Sequence, residues 1–193
     1  MIEVWIERWR EGDQTAAAQL YDHFATEIFR LTVTILGNRQ DAEEVSLDVF
    51  VYALNHIHDF DPHRASFRTW LHLIAVSRSR DRLREHTFDQ ISLYRLFEKG
   101  IQFKSNSVLP EVKSVMEEKE DEFHNLLQQL SPKLREALIL RFWAEHTYKD
   151  MAIILGCPVP TAQSRVRLGL ERLRELVING QNSMLDLREM RLE

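Results

Sequence analysis

The block from Thr147 to Arg167 constrains this chain most, because it spells a short helix, a tight turn and a second helix with a polar tip. Thr147 suits an N-cap, with Asp150 at the reciprocal capping position, and Met151, Ile154 and Leu155 fall on one helical face. Ala152 is small enough for a close helix crossing. Gly156 can stop the first helix in the left-handed conformation, and Pro160 fits the first turn of the second, where its missing N–H costs nothing. In that second helix Ala162, Val166, Leu170, Leu173 and Val177 mark a buried stripe, which leaves Thr161, Gln163, Ser164, Arg165 and Arg167 facing outward near its start. A helix-turn-helix of this kind points to duplex DNA, with the outward side chains reaching base edges and Lys149 reaching a phosphate. A plain helical hairpin with solvated arginines shares the pattern, so the rest of the chain has to decide.

With 44% hydrophobic and 28% charged residues, 193 residues can bury one sizeable core or two small ones. Six glycines and five prolines favour helices over a turn-rich β fold. No apolar run approaches the roughly 18 residues that span a bilayer, and the N-terminus lacks the basic-then-apolar export pattern, so a cytoplasmic protein is expected. The single cysteine, Cys157, fits a small turn residue. The net charge of −5 is unusual for a DNA-binding chain, but its distribution is informative. Residues 41–61 carry Asp41, Glu43, Glu44, Asp48, Asp59 and Asp61 with no Lys or Arg. Residues 64–86 reverse this, with Arg64, Arg68, Arg78, Arg80, Arg82 and Arg84 against Asp81 and Glu85. An acidic block followed by a basic one suggests two different partners on neighbouring surfaces.

Along the chain, Ile2, Trp5, Ile6 and Trp9 recur at helical spacing up to Gly12, and Asp13 then caps a helix running to about Leu36, which Gly37-Asn38 closes. A third helix, about Gln40 to His56, buries Ala42, Val45, Val49, Phe50 and Ala53. Leu47 and Val51 lie off that stripe beside Glu44 and Asp48, an apolar strip rimmed by acids that suits a partner's basic helix. After the polar loop Asp59 to Ala65, Ser66 caps a helix from Phe67 to about His86, apolar in its first half and arginine-rich in its second. Residues 87–122 read as a linker with a short helix around Ile91 to Phe97, ending in the acidic stretch Glu117 to Glu122. Phe123, Leu126, Leu127 and Leu130 open a second domain, Ser131-Pro132 starts a helix whose core face is Leu134, Ala137, Leu138 and Phe142, and residues 179–193 form a tail.

Catalysis finds little support. His56, His58 and His63 lack a cysteine or further ligand at zinc spacing, and no Gly-rich phosphate loop or nucleophile elbow occurs. No metal, cofactor or small-molecule substrate is expected.

The stretch Asp41-Ala-Glu-Glu-Val-Ser-Leu-Asp-Val-Phe50, then Phe60-Asp-Pro, Ser66-Phe-Arg-Thr-Trp70-Leu-His-Leu-Ile-Ala75, Asp81-Arg-Leu-Arg84 and, later, Leu130-Ser-Pro-Lys-Leu-Arg135 through Arg141 with the helix-turn-helix, resembles the extracytoplasmic-function (ECF) sigma factors of bacteria. The similarity covers about residues 13–86 and 123–177. It implies an all-α fold of two small helical domains: sigma region 2 over residues 1–86, and sigma region 4 over 123–178. The implied partners are RNA polymerase core, through the β′ clamp helices and the β flap, promoter DNA and an anti-sigma factor. By the same resemblance Asp41, Glu44, Leu47, Asp48 and Val51 dock polymerase. Phe60, His63, Arg64, Trp70, Arg78, Arg80 and Arg82 open and read the downstream promoter element, and Thr161 to Arg167 read the upstream one. Leu47 stands where the family usually has Gln, Ser77 where Asn is common, and Ala162-Gln163 where Val and a basic residue are common. The alternatives are a helix-turn-helix regulator that binds DNA without being a polymerase subunit, and a module that binds polymerase without reading a promoter.

Overall fold

The computed structural model describes residues 1–98 and 123–179, and the expected acidic linker end and C-terminal tail lie outside them. Two compact units result, Met1–Lys113 and Ser114–Glu193, and the described residues of both are helical without a strand.

The first unit contains α1 (Ile2–Arg10), α2 (Gln14–Leu36), α3 (Arg39–Asn55), a 3-10 turn (Ile57–Asp59) and α4 (Phe67–Glu98). Each boundary has a local cause. Asp13 caps α2 by accepting from the Thr15 and Ala16 N–H groups, and Gly37, at φ 74°, ends it. Asn38 belongs to the next helix, where its side chain accepts from the Asp41 N–H. Ser66 caps α4 by accepting from the Thr69 N–H at 3.1 Å. α2 packs against α1, α3 and α4, burying Leu20, Phe24, Ile28, Leu31 and Ile35 against Val45, Val49, Leu71 and Ile74. α4 does not stop near His86 but continues to Glu98, so the segment expected as linker begins as helix.

The second unit comprises a helical segment α5 over residues 123–128, then α6 (Pro132–Leu138) running into a π-turn (Ile139–Trp143), α7 (Tyr148–Leu155) and α8 (Val159–Asn179). Ser131 takes the N-cap position, although its hydroxyl makes no cap hydrogen bond. The π-turn, closed by the Ala144 N–H on the Ile139 carbonyl at 2.9 Å, shifts the helical phase. Phe142, expected in the core, is therefore exposed, as is Trp143, while Ile139 and Leu140 are buried. Arg135 takes a buried place, donating to the carbonyls of Gln128 and Leu130 and to the Gln128 side chain. α6 and α8 approach closely at Gly169, where a Cβ would come within 2.9 Å of the Leu138 side chain.

Candidate nucleic-acid and polymerase surfaces

Three surfaces carry the expected site residues. On α3 the core takes Ala42, Val45, Val49, Phe50 and Ala53, as the periodicity requires. This rotates Leu47, Val51 and Leu54 outward, at 59%, 47% and 44% exposure, with Glu44 and Asp48 exposed beside them. Leu54 extends the strip by one turn and was legible from its i, i+3 and i+7 spacing to Val51 and Leu47. The acids are not equally available. Asp41 and Glu44 accept from Arg82 of α4 at 3.2 and 2.8 Å, and Glu85 lies 3.6 Å from the same guanidinium. The bond to Glu44 outweighs burial and, with the nearby carboxylates, raises the Arg82 pKa above its ordinary value. The acidic and basic blocks, expected to serve separate partners, thus meet at Arg82, which pairs with α3.

The second surface is the turn before α4. Phe60, expected to touch DNA, is buried, because its ring meets Phe67 at 5.3 Å and Trp70 at 5.4 Å between centroids. Phe67 also meets Trp9 and Phe24 edge-on, so the aromatic cluster is shared by α1, α2 and α4. Trp70 is half-buried. Exposed are Asp61, Pro62, His63 and Arg64. The Asp61 carboxylate accepts from the His63 N–H at 2.9 Å and its carbonyl from the Arg64 N–H at 3.1 Å, which folds the turn on itself and projects His63 and Arg64 outward. Farther along α4, the Arg78 guanidinium lies 4.9 Å from the Tyr52 ring, itself stacked on His56, and Arg80 is half-buried.

The floor of this unit holds a polar cluster that sequence reading did not find. Glu27 of α2 accepts from Arg68 at 2.6 Å and lies 3.1 Å from Nε2 of His72, which is fully buried. Burial acts to raise the Glu27 pKa, but the hydrogen bonds from His72 and Arg68 and their charges overcome it and hold the carboxyl down to about 2.

The third surface is the helix-turn-helix. Thr147 caps α7, its hydroxyl accepting from the Asp150 N–H at 3.2 Å and donating to the Asp150 carboxylate at 2.6 Å. Gly156 ends α7 at φ 62°, in the left-handed region that the turn requires. Met151, Ile154 and Leu155 pack with Ala162, Val166 and Leu173. Gln163, Ser164, Arg167 and Lys149 are exposed, with Thr161 and Arg165 half-buried at the same end. Arg167 pairs with Glu171 at 2.8 Å on the outer face, an exchange-ready contact because both partners remain well solvated.

This geometry of a helix-turn-helix unit and a separate four-helix unit has close counterparts. Residues 20–88 match sigma-70 region 2 and residues 120–173 match sigma-70 region 4. The ECF RNA polymerase sigma factor SigW of Bacillus subtilis is 30% identical over 180 residues, 91% of this chain and 96% of SigW. The chain belongs to the ECF sigma factors. The ECF sigma factor RpoE of Cereibacter sphaeroides is 32% identical, covering 84% of this chain and 87% of its own. The fold is shared by CnrH, solved with the cytosolic domain of CnrY, at a TM-score of 0.68 and 21% identity over 92% of this chain and 97% of CnrH. It is shared too by RpoE of Bartonella quintana, solved with the anti-sigma factor NepR, at 0.66 and 22% over 85% and 98%. As an alternative sigma factor the protein directs promoter-specific transcription, with RNA polymerase core and promoter DNA as its partners.

Proposed function

We propose that this ECF sigma factor divides its task among the three surfaces. The acid-rimmed strip Leu47, Val51 and Leu54 of α3 docks polymerase core; His63 and Arg64 of the turn before α4 capture the opened downstream element; and Thr161 to Arg167 read the upstream element. The first unit acts as the region 2 domain and the second as the region 4 domain. The observation that carries the reading is the α3 strip: three large apolar side chains exposed on a helix whose other face is already buried in the core. A monomer gains nothing from that exposure, whereas a basic amphipathic helix of a partner covers it.

Asp48 sits on the rim of the strip, outside the Arg82 cluster, so it is the acid to reverse. Asp48→Arg weakens core binding at least tenfold in a titration against purified polymerase core while the circular dichroism spectrum is unchanged, since a rim charge governs affinity and on-rate rather than folding. Unchanged affinity removes this face from the interface.

On the DNA side, Arg165→Ala costs about 1–3 kcal/mol on the specific upstream site and relaxes preference at one base pair. Lys149→Ala weakens specific and random duplexes alike and lowers the salt slope by about one. Equal effects of both changes on specific and random DNA argue against base reading by Arg165.

The protein works as a polymerase subunit with no reaction of its own, and in the cytoplasm, where polymerase and promoters are found. No helix among the described residues is long and apolar enough to cross a membrane. As CnrH and RpoE were solved with CnrY and NepR, an anti-sigma factor is assigned as a further partner of this chain.

A further inference from the structure

Helix α1 carries none of the expected site residues, yet it reaches one of the surfaces. Its last residue, Arg10, donates through Nη2 to the carbonyl of Phe60, the residue at which the chain enters the exposed Asp61 to Arg64 turn. Through Nη1 it donates to Glu7 at 2.8 Å, and its guanidinium lies 5.8 Å from the centre of the Phe60 ring. Its buried Nε has no hydrogen-bond partner among the described residues. One residue earlier, buried Trp9 meets Phe67, the first residue of α4, at 6.4 Å and 80°. Arg10 and Trp9 therefore grip both ends of the segment between the 3-10 turn and α4. A charge-assisted bond to a carbonyl is roughly twice as strong as a neutral one.

We infer that Arg10 is a positioning residue for promoter opening: by fixing the Phe60 carbonyl from α1, it sets the direction in which His63 and Arg64 leave the surface. This rests on the proposed role of that turn. Arg10 touches no DNA itself. A guanidinium can serve Phe60 and Glu7 together, whereas the ammonium of a lysine at this position keeps the charge but loses the fork that spans both acceptors.

The test uses the full chain and the variants R10K and R10Q, with two readouts. In the free protein, amide hydrogen exchange of residues 61–66 rises about tenfold in R10Q and by less in R10K, with exchange in the middle of α2 and α3 unchanged. With polymerase core, on a promoter selected from random duplexes by the parent holoenzyme, R10Q lowers initiation about tenfold on duplex template and no more than about twofold on the same template pre-opened by mismatches. Parent-like exchange in the turn, or an equal loss on both templates, overturns the assignment. A parent holoenzyme that selects no promoter overturns the proposed role of the turn instead, and the exchange result alone then decides whether Arg10 holds it.

Discussion

Replacing Phe67 by Ala lowers the unfolding free energy of the first unit by about 3–5 kcal/mol, the cost of deleting a buried aromatic ring whose surroundings cannot fully collapse. Phe67 is 5% exposed and its ring contacts those of Trp9, Phe24, Phe60 and Trp70, which come from three helices and the turn. Such edge-on and tilted contacts add about 0.5–1.5 kcal/mol each beyond area burial, so their loss places the effect toward the upper end. Urea unfolding followed by tryptophan fluorescence measures it in a Trp143→Phe background, where the remaining tryptophans, Trp5, Trp9 and Trp70, all lie in the first unit. A loss below about 1 kcal/mol contradicts the shared aromatic core.

Glu27→Gln has the second largest effect. The Glu27 carboxyl is held at about 2, against an ordinary value of 4.5, by His72 and Arg68. Each pKa unit is worth about 1.4 kcal/mol, and partial solvent access reduces the sum, so the pair contributes about 2–3 kcal/mol at neutral pH. Because the folded pKa is depressed, the contribution is fully present above pH 4.5 and is lost as the pH falls toward 2. The parent loses stability through that window, while the Gln variant starts lower at pH 7 and shows a flatter acid limb. Parallel acid limbs for the two proteins contradict the assignment of the cluster.

Much of the fold is written locally. Asp13, Ser66, Thr147 and Gly156 each act on backbone groups within a few residues, so the sequence displays both cause and effect, whereas Asn38, expected to close α2, caps α3. What escapes it is long-range or depends on phase. Nothing between His86 and Gly100 is a Gly or Pro, so the loss of hydrophobic period after His86 resembles a helix end although no residue there stops one. Phe142 falls on the core face of a regular helix and leaves it because one i to i+5 turn at Ile139 rotates everything after it. Arg82 reads as one of a basic series, and only the tertiary structure reveals its contacts with Asp41 and Glu44, some forty residues earlier. Phe60 is ambiguous for the same reason. An aromatic beside a polar loop fits a stacking platform or a core equally well, and here Phe67 and Trp70 of α4 pack against its ring while Arg10 of α1 holds its carbonyl.

Partition of the α3 surface follows from this arrangement. Arg82 neutralises its inner edge, Asp41 and Glu44, and leaves Asp48 and the Leu47, Val51 and Leu54 strip as the outward face. Leu47 lies at one end of that strip and is 59% exposed, so its side chain belongs to the outward face rather than to the core of the unit.

Run-off transcription tests the central claim most directly. Purified RNA polymerase core is given random duplex templates with and without the full chain, and the 5′ ends of the transcripts are sequenced. The account requires that core alone initiates without sequence preference. Adding the chain produces starts at a fixed distance downstream of a shared two-part motif, and Asp48→Arg removes them. A chain that selects the same motif on its own, with polymerase initiation unchanged by its presence, contradicts the account and identifies a DNA-binding regulator instead.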